Sequence, residues 1–371
     1  MASTINASTS PAAIVQTADG TGILNLQAAG VTQATISSSG FSVGGAVLSP
    51  YTMKNRIING AMVIDQRNTG AATTPSASNT YNLDRWVTEF SQVSKLTVQQ
   101  NYGSVTPPAG FTNYLGIKVA ATATVGAGDY FVLEQRIEGY NIADLAWGTA
   151  SAKTVTLSFW VYSNTTGTFG GNIQNTGARN YPFSYTILVA NTWEQKTITI
   201  AGDTTGTWAT GNTLGIDVYF SLGTGTTYSG AANTWATGPF LSTTGATSIM
   251  GSTSNYWYVT GVQLEVGSSA TSFEYKLYNQ ELANCQRYYE VFNGNSNGTA
   301  ILSGVLIGAN NWLNVFYKQT KRAIPTVAAP YGWVNTTPGI YPSIDNCAFG
   351  SGSTYFYIAG VGTALTLSAE L

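Results

Sequence analysis

Apolar residues in this chain recur at a spacing of two far more often than at three or four. In the run from Lys153 to Tyr162, Val155, Leu157, Phe159 and Val161 occupy alternate positions, and period-two alternation places them on one face of a pleated strand. The same pattern predicts strands at Arg56 to Ile64, Leu83 to Phe90, Lys95 to Gln99, Tyr114 to Val119 and Tyr130 to Ile137. A second group follows at Val155 to Tyr162, Tyr181 to Leu188, Trp193 to Ile200, Leu214 to Ser221 and Tyr256 to Val266. About ten strands with loops between them suit a two-sheet sandwich of jelly-roll type. Trp86, Phe159, Trp160 and Trp193 fall inside strands and are assigned to core or sheet packing. One short helical segment is expected at Tyr140 to Trp147, between two strands.

The pattern divides the chain into parts. Residues 1–50 are small and polar, with sparse apolar positions such as Ile14, Ile23, Ile36 and Phe41 and with Gly20, Gly30 and Gly40 as regular breaks. Strands this thin bury too little surface alone to offset chain entropy, so they need copies of themselves or another protein; a disordered tail is the alternative. Residues 51–278 carry the strong strands. At 279–290, Leu282, Cys285 and Tyr289 recur at helical spacing, which predicts a short linking helix. Residues 291–371 return to strands near Ala300 to Ile307, Leu313 to Tyr317, Thr354 to Ala359 and Ala364 to Ala369, a smaller second β unit. Between these, Ala328 to Ser353 is rich in Gly, Pro and Asn, which is loop chemistry. The fold class is therefore all-β.

Composition narrows the function classes. Charged residues make up only 9% of the 371 positions and the net charge is −2, so no strong field draws phosphates or anionic lipid. Nucleic acid is not an expected partner, and neither is membrane insertion: no apolar stretch approaches the ~20 residues of a span, and Met1 to Ile14 lacks the features of an export signal. Without export, triplets such as Asn164-Thr-Thr166 carry no weight as glycosylation sites. Cys285 and Cys347 are the two cysteines, read as buried free thiols. No cofactor motif is present, because no Gly-rich run clearly follows a strand and opens a helix.

The chain has no histidine, which removes histidine-based nucleophiles, acid–base groups and metal ligands. A carboxylate pair facing one cleft is the enzymatic chemistry that survives. Glu134 and Glu138 sit four apart, and Asp65, Asp84 and Glu89 lie in or beside predicted strands; each reads first as a solvated or salt-bridged side chain, and no catalytic residue is assigned, and no metal ligand. Aromatic rings in loops are the better functional candidates, since a flat ring stacks on a sugar without needing charge. Trp208, Tyr228 and Trp235 lie in Gly/Thr-rich loops of the middle part, and Tyr331, Trp333 and Tyr341 lie in the long loop of the last. Capping of a core or subunit packing is the structural alternative for each.

Four stretches resemble a family of bacteriophage fibre and appendage proteins. They are Asn55-Arg-Ile-Ile-Asn-Gly-Ala-Met-Val-Ile-Asp-Gln-Arg67 with Leu83-Asp-Arg-Trp86; Gly261-Val-Gln-Leu-Glu-Val-Gly267 with Phe273-Glu274; Glu281-Leu-Ala-Asn-Cys-Gln-Arg-Tyr-Tyr289; and Lys321-Arg-Ala-Ile-Pro-Thr-Val327. The resemblance implies a jelly-roll similar to carbohydrate-binding modules, carried on a homotrimeric virion fibre whose N-terminal segment docks to another virion protein. It further implies assembly in the host cytoplasm and a host-surface glycan as ligand. A polysaccharide-degrading tailspike and a purely structural capsid or tail adaptor are the rival readings. No catalytic motif is carried over.

Overall fold

The computed structural model describes residues 53–293, 311–328, 339–351 and 364–371, together with strand segments at 3–6, 15–16, 23–28, 31–37, 40–43, 46–47, 303–305, 333–334 and 355–358. The stripe Val155, Leu157, Phe159 and Val161 is fully buried. It lies in the middle of a sandwich built from β1 (Thr80–Leu83), β2 (Trp86–Phe90), β3 (Leu96–Gln100), β4 (Leu115–Val119), β5 (Tyr130–Glu138), β6 (Val155–Ser163), β7 (Gly167–Gln174), β8 (Arg179–Ile187), β9 (Glu194–Ile200), β10 (Leu214–Thr224) and β11 (Tyr256–Val266).

One sheet has the order β9-β6-β11-β4-β3. The other begins with the short strand Ala236–Thr237 and continues β8-β7-β10-β5-β2-β1. All pairings within both are antiparallel, and most connections carry the chain from one sheet to the other, as in a jelly-roll. The inner faces meet through aromatic rings. Phe220 stands edge-on to Phe159 at 5.0 Å and tilted to Trp257 at 5.6 Å, geometry worth about 0.5–1.5 kcal/mol per pair beyond area burial. Trp160 and Trp193 are not core. They lie half-buried on the outer face of the five-stranded sheet, where Tyr162 packs beside Trp193 at 5.3 Å and Tyr162 and Tyr258 stack at 5.6 Å.

The expected strand at Arg56 to Ile64 does not form. Asparagine side chains take the place of a partner strand there. Asn55 Oδ1 accepts from Ile57 N at 2.9 Å and from Leu264 N at 3.1 Å, and its Nδ2 donates to Val262 O at 3.0 Å. Asn59, in the left-handed region at φ 59°, donates to the carbonyls of Ile64 and Asp84 at 2.8 and 2.9 Å and accepts from Ile64 N. The expected strand from Leu83 to Phe90 is two strands, folded back at Asp84 and Arg85. β7, with three glycines in eight residues, reads as turn chemistry in the sequence, yet Gly170 and Gly171 are there because Ser242 and the Phe183 ring occupy the space of their side chains. Tyr140 to Trp147 holds two 3₁₀ turns, Gly139–Asn141 and Ala143–Leu145. The α-helix, α1, spans Tyr278–Gln286.

After α1 come small antiparallel sheets, one of them formed by Tyr289–Asn293, Ala364–Ser368 and Thr326–Ala328. The stretch 328–353 is not simply a loop: it contains Gly339–Pro342 and Asn346–Ser351, paired with each other. Val315, Tyr317, Cys347, Phe349, Leu365 and Leu367 make a separate small core. Cys285 and Cys347 are both free and buried. The thin strands of residues 1–50 pair with one another within the chain, in a six-stranded sheet that leaves Ile36 exposed. Among the described residues no helix is long and apolar enough to cross a membrane.

Residues 369–371 are fastened to the sandwich by arginines. Glu370 pairs with Arg67 at 2.6 Å and with Arg85, while Arg322 donates to the carbonyls of Ala369 and Glu370 at 2.9 and 2.8 Å. Arg85 is 1% exposed and lies over the Tyr288 ring at 3.7 Å. Removing one partner of such a pair strands the other charge in a dry site. Glu370→Ala should therefore lower unfolding stability by about 3–5 kcal/mol in chemical denaturation. The double replacement of Arg85 and Glu370 by Met should cost less than Glu370→Ala alone.

Candidate functional site

On β5, the residues alternating with core-facing Phe131 and Leu133 are Tyr130, Val132, Glu134 and Arg136, which point to the outer face of the seven-stranded sheet. Their neighbours on that face are Asp217 and Tyr219 of β10 and Asn172 and Gln174 of β7. The segment 226–243 folds over this face. It is held to the sheet by Asn172 Nδ2 to Phe240 O at 2.6 Å and closed on itself by Leu241 N to Tyr228 O at 2.8 Å, and its Leu241 packs with Val132 and Tyr219 of the sheet. Beside this cover lies an open cleft of about 330 Å³, lined by Glu89, Tyr130, Gln174, Tyr219, Tyr228 and Leu241 among others. Tyr130 and Tyr228 stand edge to face at 5.0 Å on its wall.

Three carboxyl groups meet at the floor around one guanidinium. Arg136 donates to Glu89 Oε1 at 2.7 Å and to both oxygens of Glu134 at 2.8 and 3.0 Å, and its Nη1 reaches Leu371 O at 2.7 Å. One cation does not neutralise three anions in a desolvated site, so protons are retained. Burial, with the Glu134 charge added, pushes Glu89 up to about 7. Burial and Glu134 likewise raise Asp217 well above the ordinary carboxyl value. Gln174 Nε2 donates to the Tyr219 hydroxyl at 3.0 Å, which lies 3.5 Å from Asp217 Oδ2. Asp217 Oδ1, Asn172 Oδ1 and Ser242 Oγ are buried without a hydrogen-bond partner among the described residues.

The acids considered from sequence do not form a facing pair across this cleft. Glu89 lines it, but Glu134 is 0% exposed under Arg136. Glu138 accepts from Arg287 at 2.7 and 3.0 Å and from the Tyr288 hydroxyl at 2.6 Å. Asp84 accepts from Gln66 N and Nε2, both at 2.7 Å, and burial pushes it up to about 6. Asp65 caps the backbone amides of Asn68 and Gly70. Among the described residues no three potential ligands are arranged to hold a metal ion.

Of the six aromatic candidates, Tyr228 is on the cleft wall. Trp208 is not an exposed platform: it is 7% exposed, edge-on to Trp147 at 4.7 Å, and its Nε1 donates to Asp203 at 3.1 Å. Trp235 is half-buried in the same cluster, with Trp147 at 5.4 Å, Arg179 over its ring at 5.5 Å, and Nε1 bonded to Ala201 O at 2.8 Å. Both rings spend their faces on packing. Tyr341 is exposed on Gly339–Pro342, away from the cleft. Tyr331 lies outside the described residues, and for Trp333 the strand backbone is described but not the side chain. Tyr130, Tyr219 and Gln174 are site residues that the search among loops missed. Their signal was the polar half of the alternation in β5, β7 and β10.

The sequence matches no family model and no curated protein. Solved structures resembling the chain include a protein of Bacteroides thetaiotaomicron described as sugar-binding, with 14% identity over 57% of this chain and 100% of the other at a TM-score of 0.34. Another is the enzymatically active domain of tailspike protein 4 of bacteriophage CBA120, with 12% identity over 52% of this chain and a TM-score of 0.29; this chain spans about a fifth (21%) of that one. A third is a family 11 carbohydrate-binding module of Clostridium thermocellum, 11% identical over 54% of this chain and 99% of the module, TM-score 0.27. Similarities at this level carry no activity across.

The raised carboxyls make the fold sensitive to pH. With its folded-state value moved from 4.5 to about 7, Glu89 holds a proton in the native state that the unfolded chain has already released over that interval. Stability therefore falls as pH rises through it. Thermal unfolding should show a lower Tm at pH 7.5 than at pH 5, and Glu89→Gln should reduce the drop; an unchanged profile in the variant would contradict the assignment.

Proposed function

We propose that this chain is a subunit of a bacteriophage virion fibre and that the cleft on the seven-stranded sheet recognises a glycan of the host surface. The observation that carries the glycan reading is the composition of the cleft. Two tyrosine rings at its wall, amide and hydroxyl groups between them, and a single acid at one end suit a ligand with apolar ring faces and many hydroxyls. Concave sites of a few hundred Å³ with a few placed polar groups are the ordinary form of small-ligand sites.

The fibre reading is supported by the resemblance of the four stretches and by the first fifty residues. Their six-stranded sheet leaves Ile23 and Ile36 partly uncovered, surface that a homotrimer, or a virion protein docked to it, would cover. In a trimer, three weak clefts bind one surface together, because each contact after the first is intramolecular. The sequence division into an attachment segment, sandwich, linking helix and distal unit is retained here as part of the reading. Tyr331, Trp333 and Tyr341 of the distal unit are a second contact in it. Catalysis is not part of the reading: among the described residues Glu89 is the one acid lining the cleft, and hydrolysis of the two-carboxylate type needs a second acid there.

Three measurements test it. Light scattering of the full chain should return three times the chain mass, and a stable monomer would contradict the trimer. In a screen of host-surface glycans, the intact protein should bind, and Tyr228→Ala should weaken binding by roughly tenfold, the loss of about 1.4 kcal/mol. Tyr341→Ala should weaken whole-cell adsorption more than cleft binding.

A further inference from the structure

The cleft does not end at Gln174. Asn175 and Thr176, at the tip of the β7–β8 hairpin, line it on one side and on the other line a second open compartment of about 490 Å³. That compartment is walled by Thr205, Gly206 and Thr207 and by Arg179 and Thr237. The saddle between them is held in place by its own hydrogen bonds. Asn175 Oδ1 accepts from Gly177 N and Arg179 N, both at 2.9 Å, and Asn175 Nδ2 donates to Thr207 O at 2.7 Å.

The two compartments differ in charge. No lysine or arginine lines the first among the described residues, and Glu89 is the one acid in its lining. Arg179, the cation of the second, meets Asp203 through Nε and Nη2 at 2.8, 3.1 and 3.1 Å. Although burial acts against it, Arg179, Trp208 and the amides of Gly206 and Thr205 hold Asp203 down to about 2, so that this pair stays ionised. What remains open toward a ligand is hydroxyl, amide and backbone, with the Nη1 edge of Arg179 in the second compartment.

We infer that the two compartments form one groove for an uncharged oligosaccharide chain, longer than a single sugar, and that its first compartment rejects acidic sugars once Glu89 is ionised. This rests on the cleft being a glycan site and adds its length and its selectivity. In the first compartment a uronate or sialate carboxylate would lie beside Glu89 with no lysine or arginine in the lining among the described residues, and above pH 7, where Glu89 has lost its proton, like-charge juxtaposition in a partly desolvated site discriminates strongly. The rigid Asn175 saddle means that a ligand chain crosses a preformed surface, with little ordering of the protein to offset binding.

The test is an array of neutral oligosaccharides of one to six residues, each paired with its uronate-bearing counterpart, probed with the full chain at pH 6 and pH 8. At pH 8 the bound members should be neutral, at pH 6, where Glu89 keeps its proton, the gap between acidic and neutral members should narrow, and affinity for neutral members should rise at least tenfold between one and four residues. Thr207→Trp, at an exposed position in the second compartment, should remove that gain while leaving single-residue binding and Tm unchanged. Acidic members bound as well as neutral ones at pH 8, affinity independent of length, or a Thr207→Trp variant that still favours long chains would each overturn the groove. If Tyr228→Ala abolishes binding and Thr207→Trp does not alter it, the cleft reading stands and the groove falls. Binding to no member of the array at either pH overturns both.

Discussion

The outer face of the seven-stranded sheet is organised by Arg136. Its guanidinium is the one cation among Glu89, Glu134 and Asp217, and it also holds the Leu371 carbonyl. Removing charge from water is expensive, and a bidentate guanidinium–carboxylate contact is the geometry that best offsets the cost. Because Glu134 takes that contact, Glu89 and Asp217 meet the remaining penalty by keeping protons. The cleft therefore has a floor that is polar, closed and short of positive charge, and the ligand chemistry proposed for it follows from that shortage.

The second constraint is the way that the family-like stretches converge. Asn55 bonds to the strand of the Gly261-to-Gly267 stretch and, through its backbone amide, to Glu274 at 2.9 Å. Asn59 N donates to Glu281 at the start of α1, and the Trp86 indole donates to Asn59 O at 3.0 Å. Arg85 reaches Tyr288, and Lys321, fully buried, bonds to Gln286 O and to Glu290. Asn55, Asn59 and Arg85 thus join segments more than two hundred residues apart in sequence through side chains buried in a dry interior. Their side chains satisfy the hydrogen bonds of the interior, so these stretches are part of the frame of the protein.

Much of the fold was legible from alternation alone. β5, β6 and β11 follow from period two with little shift at the ends, since a half-buried strand must show it. What alternation could not show is where the hydrogen bonds of an extended stretch go. The residues 56–64 carry apolar positions like a strand, yet asparagine side chains satisfy their backbone; β7 carries glycines like a turn, yet Ser242 and Phe183 fill the space above them. The site was legible in part. Tyr228 and Glu89 were both in view, but the importance of Tyr130, Tyr219 and Gln174 depends on a cover folding back over their sheet face, a long-range event without a local signature. Trp208 and Trp235 misled for the complementary reason: a Gly/Thr-rich loop around a tryptophan does not reveal that three indoles have already packed together.

The central claim is that the ligand lies on the seven-stranded sheet, against the tyrosine wall. A crystal structure of the full chain soaked with the best-binding oligosaccharide tests it most directly. The account predicts sugar density against the wall formed by Tyr130 and Tyr228, passing Asn175 toward Thr207 and leaving Arg136 in contact with its carboxylates. Density confined to the five-stranded sheet or to the strands after α1, with the cleft occupied by solvent, would contradict it.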